Sequence, residues 1–295
     1  MNVTVSMPTE GALIAIGGAE DKSSESEILR TVLANAPEGN KRISVITTAS
    51  MIPDEVFQGY REVFMALGAD AVEEIDVRER EDADRADYVR MVRESGVIFI
   101  SGGDQMRLTS ILGASKVLEA VRERRREGAV VAGTSAGAAC MSSTMIYGGS
   151  ATDALRKGVV RMSAGLGFVN GVIVDSHFLE RGRFSRLMEA GATNPEYIGI
   201  GLGEDAGVIF HRNQIIEVIG PGHVVVVDSS KVTGSNVWEL SDGEAVSVEN
   251  VIMHALTSGY GYDVKNRETL QPSEVDQIKM GQRVENTGAQ GVTGT

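Results

Sequence analysis

A single cysteine, Cys140, stands in a chain of 295 residues. No internal disulfide can form, and a reducing compartment, the cytoplasm by default, is the expected setting. Histidine is also scarce: His177, His211, His223 and His254 are the four in the sequence. No HExxH, no cysteine pair and no close histidine cluster occurs, so no metal is expected. Neither GxxxxGK[ST] nor GxGxxG follows a strand-like run, and no cofactor is expected either. Nowhere do 18 or more apolar residues run together, and the opening MNVTVSMPTEG has no basic patch before an apolar core, which argues against a membrane span and a leader. Positive charge is in deficit, with 28 Lys and Arg against 41 Asp and Glu, a net charge of -13. Such a surface repels polyanions, so no nucleic acid partner is expected, and the arginine-rich segment at 116 to 127 reads as a solvated face.

What the sequence does have is 42% hydrophobic residues and only 6 prolines, enough to bury a sizeable core. Apolar runs ending in glycine alternate with helical segments. Strands are expected at 12 to 16, 42 to 47, 71 to 77 and 97 to 100, and helices at 25 to 36 (capped by Ser23 or Ser24), 53 to 67 and 83 to 95. That alternation predicts right-handed βαβ units and an α/β fold with a doubly wound, mostly parallel sheet. Strands at 207 to 211, 215 to 219 and 224 to 227 follow one another without crossover helices, with a turn at 212 to 213, and predict an antiparallel C-terminal edge. Residues 142 to 170 are glycine-rich and irregular. Residues 1 to 280 are expected to form a single domain, and 281 to 295, nearly devoid of apolar residues, a mobile tail.

The segment AVVAGTSAGAA at 129 to 139 organises the rest. An apolar strand stops at Gly133-Thr134-Ser135-Ala136-Gly137, and small residues on both sides of Ser135 permit the strained turn of a nucleophile elbow. A serine hydroxyl needs a base, and His177 leaves the end of the strand at 172 to 174, the same kind of sheet edge from which Ser135 should emerge. The orienting carboxylate is open among Asp153, Asp175, Glu204 and Asp205. Ala136 N–H and a glycine N–H of the Gly102-Gly103 loop are candidate oxyanion donors. Arg181, Arg183 and Arg186, shortly after His177, suggest a substrate bearing carboxylates.

Four segments in this order, GGAEDK at 17 to 22, GGDQ at 102 to 105, GTSAGA at 133 to 138 and HFLERGRFSR at 177 to 186, resemble the cyanophycinases of peptidase family S51. The resemblance spans roughly residues 10 to 230. It implies a flavodoxin-like sheet related to class I glutamine amidotransferases, which place cysteine where Ser135 stands. It also implies exopeptidase action on cyanophycin, a polyaspartate carrying arginine in amide linkage, with release of β-Asp-Arg. Carried over by position, Ser135 is the nucleophile, His177 the base and Asp153 the acid; Gly103 and Ala136 are the oxyanion candidates that the residues themselves suggest. Gln105, Arg181, Arg183 and Arg186 match substrate-binding positions, beside Ser176, where cyanophycinases often have Gln. Glu20, Asp21 or Asp104 could receive substrate guanidinium groups. Asp153 and Ser176 also resemble the aspartyl dipeptidase branch, which makes a small aspartyl peptide the alternative substrate; a non-catalytic binding protein on the same scaffold is a further one. A homodimer is the assembly the family implies.

Overall fold

Runs such as LIAI, VIFI and VVAGT bury every residue, as strands covered on both faces must. In the computed structural model, which describes residues 10–23, 25–153, 155–211 and 214–280, these runs lie at the centre of a sheet. Its parallel part consists of β1 (Leu13–Ile16), β2 (Arg42–Ile46), β3 (Ala71–Ile75), β4 (Val97–Ile100) and β5 (Val130–Thr134), in the spatial order β1-β5-β4-β2-β3. The crossovers carry α1 (Glu27–Ala34), α2 (Pro53–Ala66), α3 (Ala86–Glu94), α4 (Gln105–Leu112) and α5 (Lys116–Arg126). Alternate strand residues separate into two cores. Ile14, Ile16, Val45 and Phe99 cluster with Ile28, Leu29 and Phe64 from α1 and α2. Leu13, Ala15, Ile98 and Val131 cluster with Leu118 and Val121 of α5.

After β5 come α6 (Ala136–Ala139), a hairpin of β6 (Thr144–Gly148) and β7 (Arg161–Ala164), β8 (Val172–Asp175), α7 (Phe184–Thr193) and β9 (Ile198–Leu202). The remaining strands are β10 (Gly207–Phe210), β11 (Ile215–Ile219), β12 (Val224–Asp228), the short pair β13 (Gly234–Ser235) and β14 (Val248–Glu249), β15 (Ile252–Leu256), β16 (Gly261–Asp263) and β17 (Glu268–Leu270). β10, β11, β16 and β17 extend the main sheet beyond β1, every pair antiparallel. The parallel core with antiparallel edge strands is thus the expected architecture.

The second sheet is not. β12 leaves the antiparallel edge and joins β15, β9 and β8 in a separate four-stranded sheet, in which β8 and β9 run parallel. Val172, Val174, Ile198, Ile200 and Val226 pack this sheet into the α5-side core, while Ile173, Val225 and Val227 face Leu187 and Ala190 of α7. β9 has no counterpart in the sequence reading because its IGIGL sequence alternates isoleucine with glycine, which weakens a strand signal. Tertiary packing explains the glycine: a Cβ on Gly201 would lie 2.4 Å from the Phe178 ring. Residues 142 to 170, expected to be irregular, contain the β6–β7 hairpin.

The expected helix at 83 to 95 divides into a 3-10 turn, Arg80–Asp84, and α3. Ser23 does not cap α1; its hydroxyl donates to Asp21, and Asp21 also accepts the Ser26 N–H at 2.8 Å. Ser24, the turn at 212 to 213 and the tail at 281 to 295 lie outside the described residues. Among the described residues no helix is long and apolar enough to cross a membrane.

The two sheets are clamped at one end by Arg267, which follows β16 and reaches Asp228 of β12 at 2.5 Å and the Glu196 carbonyl at 2.8 Å. Asp228 is 2% exposed. Burial would raise its carboxyl, but the Ser230 N–H and the Arg267 guanidinium outweigh burial and hold it below the usual range. Arg267→Ala, by leaving that carboxylate buried and unpaired, should cost about 3 kcal/mol in chemical denaturation. A carboxyl depressed in the folded state adds stability above its unfolded value, near pH 4, and that stability is lost as pH falls through the folded value. The variant and wild type should therefore converge in acid; a gap that is constant down to about pH 2 would count against the clamp.

Candidate active site

Ser135 stands between β5 and α6 with φ 52° and ψ -110°, a left-handed backbone that a side chain rarely adopts. The flanking glycines are there for space. A Cβ on Gly133 would lie 2.6 Å from the Gly137 carbonyl group, and one on Gly137 would lie 2.3 Å from the Ile100 oxygen. The Ser135 N–H donates to the Ile16 carbonyl at 2.9 Å, which anchors the turn to the end of β1. The turn has the strained strand-to-helix geometry expected of the GTSAG segment.

His177 follows β8 after Ser176. Its own φ is 46°, and its N–H donates to the Gly17 carbonyl at 2.9 Å. The imidazole Nε2 meets Ser135 Oγ at 3.0 Å, and Nδ1 meets Glu204 Oε1 at 2.7 Å. A carboxylate only accepts, so Nδ1 carries the hydrogen and Nε2 faces the serine hydroxyl as an acceptor. Glu204 sits just beyond β9, so Ser135, His177 and Glu204 all leave the C-terminal ends of strands. Gly18 packs against the ring: a Cβ there would lie 2.4 Å from His177 Cε1.

Asp153, the acid carried over by position, is corrected by this geometry. It lies exposed on the turn before residue 154, while Glu204 occupies Nδ1. Glu204 is among the carboxylates that the sequence leaves open, and the strand before it carries a weak signal. A short apolar run ending in Gly-Glu, close in sequence to β8, was the available signal.

The profile of peptidase family S51 matches residues 13–218. The chain belongs to that family. The cyanophycinase of a Nostoc species is 38% identical over 263 residues, 89% of this chain and 88% of that protein. The cyanophycinase of Geminocystis herdmanii is 37% identical over 262 residues, 88% of this chain and 95% of the relative. Among solved structures, a peptidase from an acI-B1 Actinobacterium superposes with a TM-score of 0.64 at 23% identity, covering 88% of this chain and 96% of its own. A putative peptidase E from Listeria monocytogenes reaches 0.50 at 17% identity, covering 72% of this chain and 99% of its own. These two likenesses concern the fold alone.

Other residues singled out in this S51 peptidase are distributed unevenly. Ala136 is the first residue of α6, where an N–H has no acceptor within the helix. In the 102 to 103 loop, a Cβ on Gly102 would lie 3.2 Å from Ser135 Cβ, whereas one on Gly103 would lie 2.0 Å from the Ala49 oxygen. Gly102 is therefore the glycine that abuts the serine, while Gly103 turns against Ala49. Arg183 and Arg186 close on Asp175 at the end of β8, each at 3.1 Å. Arg183 also donates to the Ser176 carbonyl at 2.6 Å. Burial pushes the Asp175 carboxyl up, and the two guanidiniums, Arg186 first, pull it back. These arginines brace the His177 turn from inside the protein, and Arg181 stays exposed. Ser176 is buried in the same turn. Gln105 donates to the Ile146 carbonyl at 3.1 Å and ties α4 to β6. Asp104 caps α4 by accepting from Met106 and Arg107, Asp21 accepts from Ser26, and Glu20 is buried beneath a cavity beside Ser135. Among the described residues no group of three or more His, Cys, Asp or Glu is arranged to hold a metal.

Two expected outcomes follow from this geometry. Glu204→Gln should lower kcat by about three to four orders of magnitude, through the wrong tautomer of His177, while Asp153→Asn leaves it essentially unchanged; the reverse pattern in a hydrolysis assay would restore Asp153. Gly18→Ala places a methyl where the imidazole sits, so kcat should fall by about a hundredfold or more with the circular dichroism spectrum retained.

Proposed function

We propose that this chain is a serine exopeptidase that hydrolyses cyanophycin to β-Asp-Arg dipeptides. The observation that carries the reading is the Ser135–His177–Glu204 relay in a chain 38% identical to a curated cyanophycinase over most of both lengths. Ser135 attacks the scissile carbonyl while His177 Nε2 takes its proton, and Glu204 holds the imidazole and stabilises its charged form. The oxyanion is received by the Ala136 N–H and an N–H of the 102 to 103 loop. His177 then protonates the leaving amine, and water, activated by the same imidazole, releases the acyl group. Arg181, exposed four residues beyond the base, is the arginine left to meet a substrate carboxylate.

The dipeptidase alternative rested on Asp153 and Ser176. Asp153 does not meet His177, and Ser176 is buried, so that alternative loses its support in the site. A cytoplasmic location suits the single buried thiol Cys140, and a homodimer completes the reading.

The test is incubation of the protein with insoluble cyanophycin and mass spectrometry of the soluble products, beside Ser135→Ala. Wild type should release β-Asp-Arg and the variant should lose about six orders of magnitude in kcat, as when a triad member is removed. Intact polymer with wild type, or comparable release by the variant, would refute the activity or the nucleophile respectively.

A further inference from the structure

The relay uses one of two adjacent carboxylates. Glu204 meets His177 Nδ1, but its side chain is 39% exposed, and among the described residues no second hydrogen bond or ion pair holds it. The aim of the acid is therefore set by the backbone that carries it. That backbone turns at the next residue, Asp205, whose φ of 47° lies in the left-handed region. Aspartate and asparagine visit this conformation more readily than other residues with a side chain.

Three segments meet at Asp205. Its N–H donates to the Gly18 carbonyl at 3.0 Å, its carbonyl accepts the Gly222 N–H at 2.9 Å, and its Oδ1 accepts the Asp21 N–H at 3.1 Å. Gly222 lies in the turn between β11 and β12, and a Cβ there would lie 2.4 Å from the Glu204 carbonyl oxygen. Gly18 and Asp21 belong to the loop after β1, the loop that flanks the imidazole through Gly17 and Gly18. Asp21 is itself anchored, since its carboxylate accepts the Ser23 N–H at 2.9 Å and the Ser26 N–H at 2.8 Å at the start of α1. The bonds to Gly18 and Gly222 are made by the Asp205 backbone and survive substitution. The bond to Asp21 needs the Asp205 side chain.

Resting on the Ser135–His177–Glu204 reading, we propose that Asp205 is a positioning residue for the reaction, whose carboxylate locks the loop after β1 to the Glu204 turn. One hydrogen bond thereby reaches both partners of the Nδ1 contact. Asp205 continues the chain of the acid, and Asp21 continues the loop that sets the imidazole. Asp205 acts through Glu204 and Gly18 rather than on the reacting atoms.

The test is the rate at which a fluorophosphonate labels Ser135, a readout that needs no cyanophycin. The Oγ–phosphorus bond forms as fluoride leaves, and His177 takes the hydroxyl proton, so the rate reports the relay. Asp205→Gly keeps the left-handed backbone and removes the acceptor. Its maximal labelling rate should fall about a hundredfold, as for a misplacement of about 1 Å, with the half-saturating probe concentration unchanged. Asp205→Asn retains an oxygen that can accept the Asp21 N–H and should stay within about threefold of wild type. In a Glu204→Gln background, Asp205→Gly should cost no more than about twofold, because residues that act as a unit are not additive. A general loosening of the fold would instead lower the rate by the same factor in both backgrounds and would overturn the proposal. So would an unchanged rate in Asp205→Gly, or a loss in Asp205→Asn as large as that in Asp205→Gly. Cyanophycin hydrolysis by the wild type is measured alongside: labelling without hydrolysis overturns the proposed activity alone, whereas a wild type that does not label overturns the relay and the role of Asp205 with it.

Discussion

The left-handed backbone at Ser135 is the constraint on which the rest of the structure depends. A non-glycine residue held there costs about 1–3 kcal/mol and persists only when its surroundings over-determine it. Here they do. Gly133 lets β5, and Gly137 lets β4, approach α6 within a distance that no side chain would tolerate, and the Ile16 carbonyl fixes the Ser135 amide. The strain lifts the hydroxyl off the sheet edge and leaves the Ala136 N–H at the start of a helix without an acceptor in that helix, so the hydroxyl and a free N–H come from one turn.

That turn would be inert without the second sheet. His177 and Glu204 follow β8 and β9, adjacent parallel strands, so their side chains emerge at one edge. The loop after β1 stitches this edge to the main sheet. The His177 amide donates to Gly17, the Gly17 amide to Ala206, and the Asp205 amide to Gly18. Ala19, His177 and Asp205 share the positive φ of Ser135, so the seam where the two sheets meet carries part of the backbone strain. Asp175 with Arg183 and Arg186 adds rigidity behind the base, which is why two arginines that look like substrate ligands in the sequence turn inward in the fold.

The resulting division of labour is electrostatic. On one side of the serine, ion pairs hold the imidazole and brace its turn; on the other lies a cavity lined by Glu20, Lys22 and Tyr60.

By itself the sequence determined whatever depends on a few consecutive residues: the elbow at 133 to 137, the parallel strands of the core, and His177 at a strand end. These are legible because turn sterics and burial act over short separations. The tertiary structure alone decided which carboxylate completes the relay, which arginines remain available, and that β12 belongs to a second sheet. Ser135 and His177 are 42 residues apart, and His177 and Glu204 are 27 apart, so no spacing rule chooses Glu204 over Asp153. The choice was made by the pairing of β9 beside β8, and β9 was hidden in the sequence because Phe178 packs where one of its glycines has no side chain.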